Sequence, residues 1–276
     1  MAYVSFWSLH ERLKILQDKY HWLKHHVKLA RATVRSDNAA QIHFLELETE
    51  AGLLENEIFA LEAEVLEKKN ELEIYAPGLI TNSITPMEPE LEPFPAHGEA
   101  LLVSWKEKEF ESKEAMESLK KQSYLPDIAL RFKSYNATDS MPQNQEIMIG
   151  VSIPFLFFWQ PKAEVAEARA QKIKAQAELQ KARIESGSKL SSLKVKADSI
   201  RKQLKNLKET IIPRAARRKK LVTTLSQRTM EGLDEHNKVA RSYFDLKLKA
   251  LELRLGYENT VKEIIKLAGA EAKEGI

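Results

Sequence analysis

The sequence predicts a mainly α protein in which long antiparallel coiled-coil helices form the wall of a helical barrel, joined by one β-hairpin of a transmembrane β-barrel. Three observations carry this expectation. Charged residues make up 30% of the 276 positions, whereas Gly (9) and Pro (10) are scarce. That favours long helices over a sandwich needing frequent turns. Apolar residues recur at alternating threes and fours along most of the chain, and two short segments alternate strictly with period two.

The first helix spans 1–35, with Phe6, Leu9, Leu13, Leu16, Tyr20, Leu23 and Val27 on one seam. This pattern is already running at residue 6, with no cap before it. Ser36-Asp37-Asn38 then supplies N-cap chemistry for a second helix over 39–75. That helix carries two seams on different sides. One is Ile42, Leu45, Thr49, Gly52, Asn56, Phe59, Ala63 and Leu66; the other is Leu47, Ala51, Leu54, Ile58, Leu61, Val65 and Leu72. A two-stranded coiled coil needs one seam, so two predict packed neighbours on both sides.

Residues 76–97 form a linker, because Pro86, Pro89, Pro93 and Pro95 forbid a helix there. A short helix over 98–122 follows, carrying Leu101, Leu102, Trp105 and Phe110. The hairpin occupies 124–157. Ile128, Leu130 and Phe132 alternate with Ala129, Arg131 and Lys133, and Ile147, Ile149, Val151 and Ile153 alternate with Met148, Gly150 and Ser152. One face is apolar and the other small or charged. Each run approaches the ~9–11 residues of a membrane-crossing strand. The aromatics of Phe155-Leu156-Phe157-Phe158-Trp159 stand where such a strand leaves the bilayer.

A long helical hairpin over 160–269 ends the pattern, followed by a tail at 270–276. Its first helix is alanine-rich (Ala163, Ala166, Ala168, Ala170, Ala175, Ala177, Ala182) and then carries Leu190, Leu193, Ala197, Ile200, Leu204, Leu207 and Ile211. Gly187 and Pro213 are its weak points, and Pro213 predicts a kink or a broken ladder. A turn near Met230-Glu231-Gly232 leads to the last helix, seamed by Val239, Tyr243, Leu246, Ala250, Leu253, Tyr257, Ile264 and Leu267 and capped at Gly269. Residues 1–75 read as the second half of a unit that 98–269 shows whole, an internal repeat.

Several segments together resemble the TolC family of outer-membrane efflux proteins, in particular the heavy-metal and drug efflux type. They are Tyr124-Leu125-Pro126-Asp127-Ile128-Ala129-Leu130, Ile149-Gly150-Val151-Ser152-Ile153-Pro154 and the Ala-Glu-Val-Ala-Glu-Ala run at 163–168. Ile212-Pro213-Arg214-Ala215, Gly232, Arg241-Ser242-Tyr243-Phe244 and Leu267-Ala268-Gly269 add to them, as does Phe44-Leu45-Glu46-Leu47-Glu48-Thr49-Glu50. No single motif is specific; the ordered set is. The resemblance implies a homotrimeric duct in the outer membrane, reaching into the periplasm. It would conduct solutes such as metal ions or drugs passively, with a membrane-fusion adaptor and an inner-membrane pump as partners and no cofactor.

The chain departs from that family in two ways. It supplies one hairpin, so three copies give six strands, below the roughly eight of the smallest bacterial barrels. With the helical start and the lack of a signal-peptide pattern, this is the expectation for a chain lacking the N-terminal part of the family fold. Where the family often places carboxylates after the tip glycine, Asn237-Lys238-Val239-Ala240-Arg241 is basic, and Asp234 and Glu235 sit nearer the turn. The candidate pore residues are therefore Gly232, Asp234, Glu235, Lys238 and Arg241, without an acidic gate. The candidate lipid-facing residues are Ile128, Leu130, Phe132, Ile147, Ile149, Val151 and Ile153.

Other chemistries are opposed by the residues. There is no Cys, which excludes thiol catalysis and Cys-based zinc sites. His21 and His25 have the spacing of a two-ligand metal face, but beside His26, Lys24 and Lys28 no third ligand completes a set, and a solvated face is the simpler reading. Arg217-Arg218-Lys219-Lys220 reads as a solvated face or a patch for an acidic partner, since a net charge of +3 argues little for nucleic acid. The carboxylates from Glu46 to Glu64 read as exposed positions. No P-loop, dinucleotide fingerprint or nucleophile elbow occurs, so no enzyme is expected. The rival reading is a soluble helical adaptor whose hairpin packs against its own bundle. It differs at one point: the apolar hairpin face would be covered by protein. A membrane-fusion protein would need further β modules.

Overall fold

The computed structural model describes residues 2–33, 38–75, 77, 86–91, 93, 100–122, 127–135, 144–152, 159–222 and 230–269. The fold is mainly α with one antiparallel hairpin. In order, α1 is Ala2–Thr33, α2 Asn38–Tyr75, α3 Leu101–Gln122, β1 Asp127–Tyr135, β2 Asn144–Ser152 and α4 Trp159–Asn206. A π-helical turn, Leu207–Ile211, joins α4 to α5, Ile212–Val222, and α6 is Met230–Ala268. Ser36 and Asp37, expected as caps, lie outside the described residues. Two compact units divide the chain, residues 1–95 with 192–265 and residues 96–191 with 266–276.

In the first unit, α1 packs on α2 through Leu16, Leu23, Ala30, Leu47, Ala51, Leu54, Ile58 and Leu61. Burying each leucine side chain contributes roughly 1.5–3 kcal/mol. Arg12 to Glu57 (2.9 Å) and the Tyr20 hydroxyl to Glu55 (2.7 Å) close the flanks of this seam. Two of the carboxylates read as merely exposed thus have partners on α1. The second seam of α2 is left uncovered: Ile42, Leu45, Phe59 and Leu66 are 50–61% exposed. A second face of α1, not foreseen from its periodicity, holds Ile15 and Trp22 against Ala240 and Phe244 of α6. On the other side of α6, Ala250 packs with Leu204 and Leu207, flanked by Leu246 and Leu253.

Gly187 lies within α4 without interrupting it, whereas the break foreseen at Pro213 takes a defined form. Proline lacks an N–H, and its ring clashes with the carbonyl four residues earlier. The turn before it widens, and the Ile212 N–H donates to the Leu207 carbonyl across a π-type ring. The expected turn at Met230–Gly232 is a correction, for these residues form the start of α6. Residues 223–229 lie outside the description.

The irregular linker segment at 86–91 belongs to the first unit. The Tyr3 hydroxyl donates to the Met87 carbonyl (2.9 Å), and Lys208 of the π turn pairs with Glu88. The Arg254 guanidinium donates to the carbonyls of Pro89 and Glu90, both at 2.8 Å, and to the Glu258 carboxylate one turn on. Both members of this ion pair are buried. A desolvated charge persists only where such donors and acceptors surround it.

In the second unit, α3 and α4 run antiparallel, because their ionic partners ascend one helix as they descend the other. Lys106 meets Glu178 (2.6 Å), Glu107 meets Arg183 (2.7 Å), Glu114 meets Lys172 (2.8 Å) and Lys120 meets Glu164 (2.9 Å). Hydrogen bonds from Lys121 and then Lys172 hold the Glu117 carboxyl below its usual range. Of the seven alanines between 163 and 182 on α4, only Ala168, Ala175 and Ala182 are buried, one per heptad. Ala182 packs with Leu179 against Ala100 and Val103, whereas Leu101, Leu102 and Trp105 are exposed. Gly269, at φ +66°, ends α6 as the left-handed cap that the sequence indicated.

Candidate functional site

The hairpin confirms the register that alternation requires. Ile128 pairs with Val151, Leu130 with Ile149 and Phe132 with Ile147, so the apolar residues of both strands share one face. Ala129 with Gly150, Arg131 with Met148 and Lys133 with Glu146 form the other. Nine residues per strand span about 30 Å at the rise of a β-strand. The six apolar side chains are 57–75% exposed, and no helix among the described residues covers them. Ile153 and the aromatics at 155–158 lie outside the described residues.

At the start of α6, Asp234, Lys238 and Arg241 come together along one open groove of about 690 Å³ with Asn237, Ser242, Asp245, Leu246 and Lys249. Gly232 precedes it in the helix. Glu235 points elsewhere and pairs with Arg218 of α5 (2.7 Å). Arg241 is ion-paired with Glu50 of α2, and Lys19 of α1 stands 3.7 Å from Asp245. The groove is thus a mixed-charge surface rather than a uniformly basic one.

Two features of this region escaped the sequence reading. His26, grouped with His21 and His25 on a solvated face, is 2% exposed, stacked 3.7 Å from the Trp22 ring and 5.7 Å from His236. Burial, then the nearby bases His236, His25 and Lys219, lowers its pKa to about 4 against the pull of its bond to the Trp22 carbonyl. The signal lay in heptad spacing: Trp7, Ile15, Trp22 and His26 form a second stripe on α1. Lys219 also leaves the solvated run. Its ammonium lies 4.4 Å from the Phe244 ring and 5.0 Å from that of Tyr243, and burial, with Lys247 nearby, lowers its pKa. No group of three or more His, Asp or Glu able to hold a metal occurs among the described residues. Among the described residues no helix is long and apolar enough to cross a membrane.

Neither a protein-family model nor a curated protein matches this chain. Solved structures do. A membrane protein from Pseudomonas aeruginosa superposes with a TM-score of 0.73 at 14% identity, over 97% of this chain and 65% of its own. The fold is that of the TolC-type outer-membrane channels. The CmeC outer membrane channel of Campylobacter jejuni is similar with a TM-score of 0.67 at 10% identity, over 97% of this chain and 61% of its own. The outer membrane protein VceC of Vibrio cholerae gives 0.65 at 13% identity, over 94% and 67%. The chain thus spans less than two thirds of the first two of these TolC-type structures.

Proposed function

We propose that the chain is a channel component of a tripartite efflux or type I secretion system, seated in the outer membrane and reaching into the periplasm. The observation that carries this reading is the uncovered apolar face of the hairpin, whose six side chains are 57–75% exposed. An apolar face of about 30 Å on a two-stranded ribbon has to meet hydrocarbon or another apolar surface. A barrel closed by further strands satisfies both strand edges and lets this face border lipid.

The exposed stripe of α2, from Ile42 to Leu66, then serves as the side of the wall where a second copy docks in a homotrimer. The linked conduit passes solutes down their gradient, and the driving energy comes from an inner-membrane pump coupled through a periplasmic adaptor. Lys238 and Arg241 stand at the proposed periplasmic end, where they would bias which ions enter. Metal ions and drugs are the solute classes that the likeness suggests.

The chain has no native cysteine, so single cysteines at Leu130 and Ile149 can carry a fluorophore without background. In the protein expressed from its own gene and recovered from outer membranes, both labels should be quenched by nitroxide lipids and not by aqueous iodide. Quenching by iodide alone would remove the hairpin from the bilayer and the channel reading with it.

A further inference from the structure

We propose that the contact between the end of α1 and the start of α6 is an acid-sensitive latch, closed while the buried His26 ring is uncharged and released when that ring takes up a proton. The carbonyl of Trp22 lies 3.1 Å from Nδ1 of His26 and accepts its hydrogen. That fixes the tautomer and leaves the lone pair on Nε2. Nε2 of His26 is buried without a hydrogen-bond partner, and so is Nε2 of His236 on the facing helix. The next proton therefore arrives at a buried atom with nothing to share it.

The groups that face His26 are unsuited to a cation. On its own helix they are Trp22 and His25; on α6 the group is His236, and on α5 it is Lys219, which in turn is near Lys247 and Asp18. Among the described residues the ionisable groups acting on His26 are all bases. The Trp22 face attracts an imidazolium, but it supplies no counter-charge. A charged His26 gains solvation chiefly by parting α1 from α6.

The sign follows from linkage. A pKa of about 4 in the packed state lies below the ~6.5 of a solvated histidine. The parted state then binds more protons throughout that window, and packing weakens as pH falls through it. At pH 5 the shift favours parting roughly 20-fold relative to neutral pH. This device depends on the packing of the chain alone, so it stands or falls separately from the channel reading.

Spin labels at Lys28→Cys and Ser242→Cys report the α1–α6 separation by pulsed electron resonance. A single distance is expected at pH 7.5, with a longer population growing roughly five- to sevenfold per pH unit below ~6 and levelling near 4. The same labels on His26→Phe should show no growth down to pH 5. A native-histidine chain unchanged at pH 4.5, or an equal change in His26→Phe, overturns the latch. Nitrogen-15 spectra of labelled histidine provide the second reading if His26→Phe does not fold. His26 should stay neutral at Nε2 until the longer distance appears, and charging near 6.5 without that distance also overturns it.

Discussion

Leu130 and Ile149 sit directly opposite each other in the hairpin, and each leaves 71% of its surface uncovered. Two aliphatic side chains in register, outside any core of their own chain, mark a surface built for an apolar surrounding. Leu130→Arg or Ile149→Arg should cost about 2–4 kcal/mol of membrane stability if these positions lie near the midplane. Arg131→Gln, on the other face, should cost far less. Urea titration of the lipid-inserted protein measures both. Equal stability for the Leu130 and Arg131 variants would mean that this face does not border lipid.

The two stripes of α2 should respond differently to truncation. Leu54 is buried against α1, so Leu54→Ala should lower unfolding stability by about 2–5 kcal/mol. Phe59 and Leu66 are exposed in the single chain, and Phe59→Ala or Leu66→Ala should change that stability by less than about 0.5 kcal/mol. The same two changes should instead weaken self-association in sedimentation experiments. An unaltered association constant would place the subunit contact elsewhere.

Arg254 and Glu258 pair inside the first unit, with Arg254 also holding the linker carbonyls of Pro89 and Glu90. Arg254→Met takes from the buried Glu258 carboxylate the cation that faces it, at a cost of about 3–5 kcal/mol. Arg254→Met with Glu258→Leu removes the uncompensated buried charge and should recover much of that loss. Chemical denaturation of the two variants tests the order. A double variant no better than the single one would show that the linker contacts, and not the ion pair, are what matters.

Alanine in place of glycine should act with opposite signs at two positions. Gly269 has φ +66°, and a Cβ there would meet Leu101 Cγ at 2.6 Å. Gly269→Ala should destabilise by at least about 1–2 kcal/mol from the backbone alone. Gly187 is helical and a Cβ would meet nothing within 4 Å, so Gly187→Ala should stabilise by about 0.5–1 kcal/mol. Thermal unfolding reads both changes, and a shift of the same sign would contradict the geometry.

Periodicity alone determined the helices, the hairpin and most buried seams, because a side chain's face follows from its place in a repeat of 3.6 or 2 residues. Ile128 to Val151 could be assigned to one face before any register was known. The partner of each seam was not legible. Nothing local separates the α2 stripe of Leu47, which is buried against α1, from the stripe of Leu45, which stays at least half exposed. Likewise His26 and His25 are adjacent histidines in a polar stretch, and only the approach of α6 buries one and leaves the other in water. The widened turn before Pro213 was half legible: the missing N–H was written in the sequence, whereas its repair by a π-type ring is a three-dimensional matter. Faces are set by the chain's own helical and strand geometry; which face is covered is set by a second element, at a distance in sequence that no local pattern encodes.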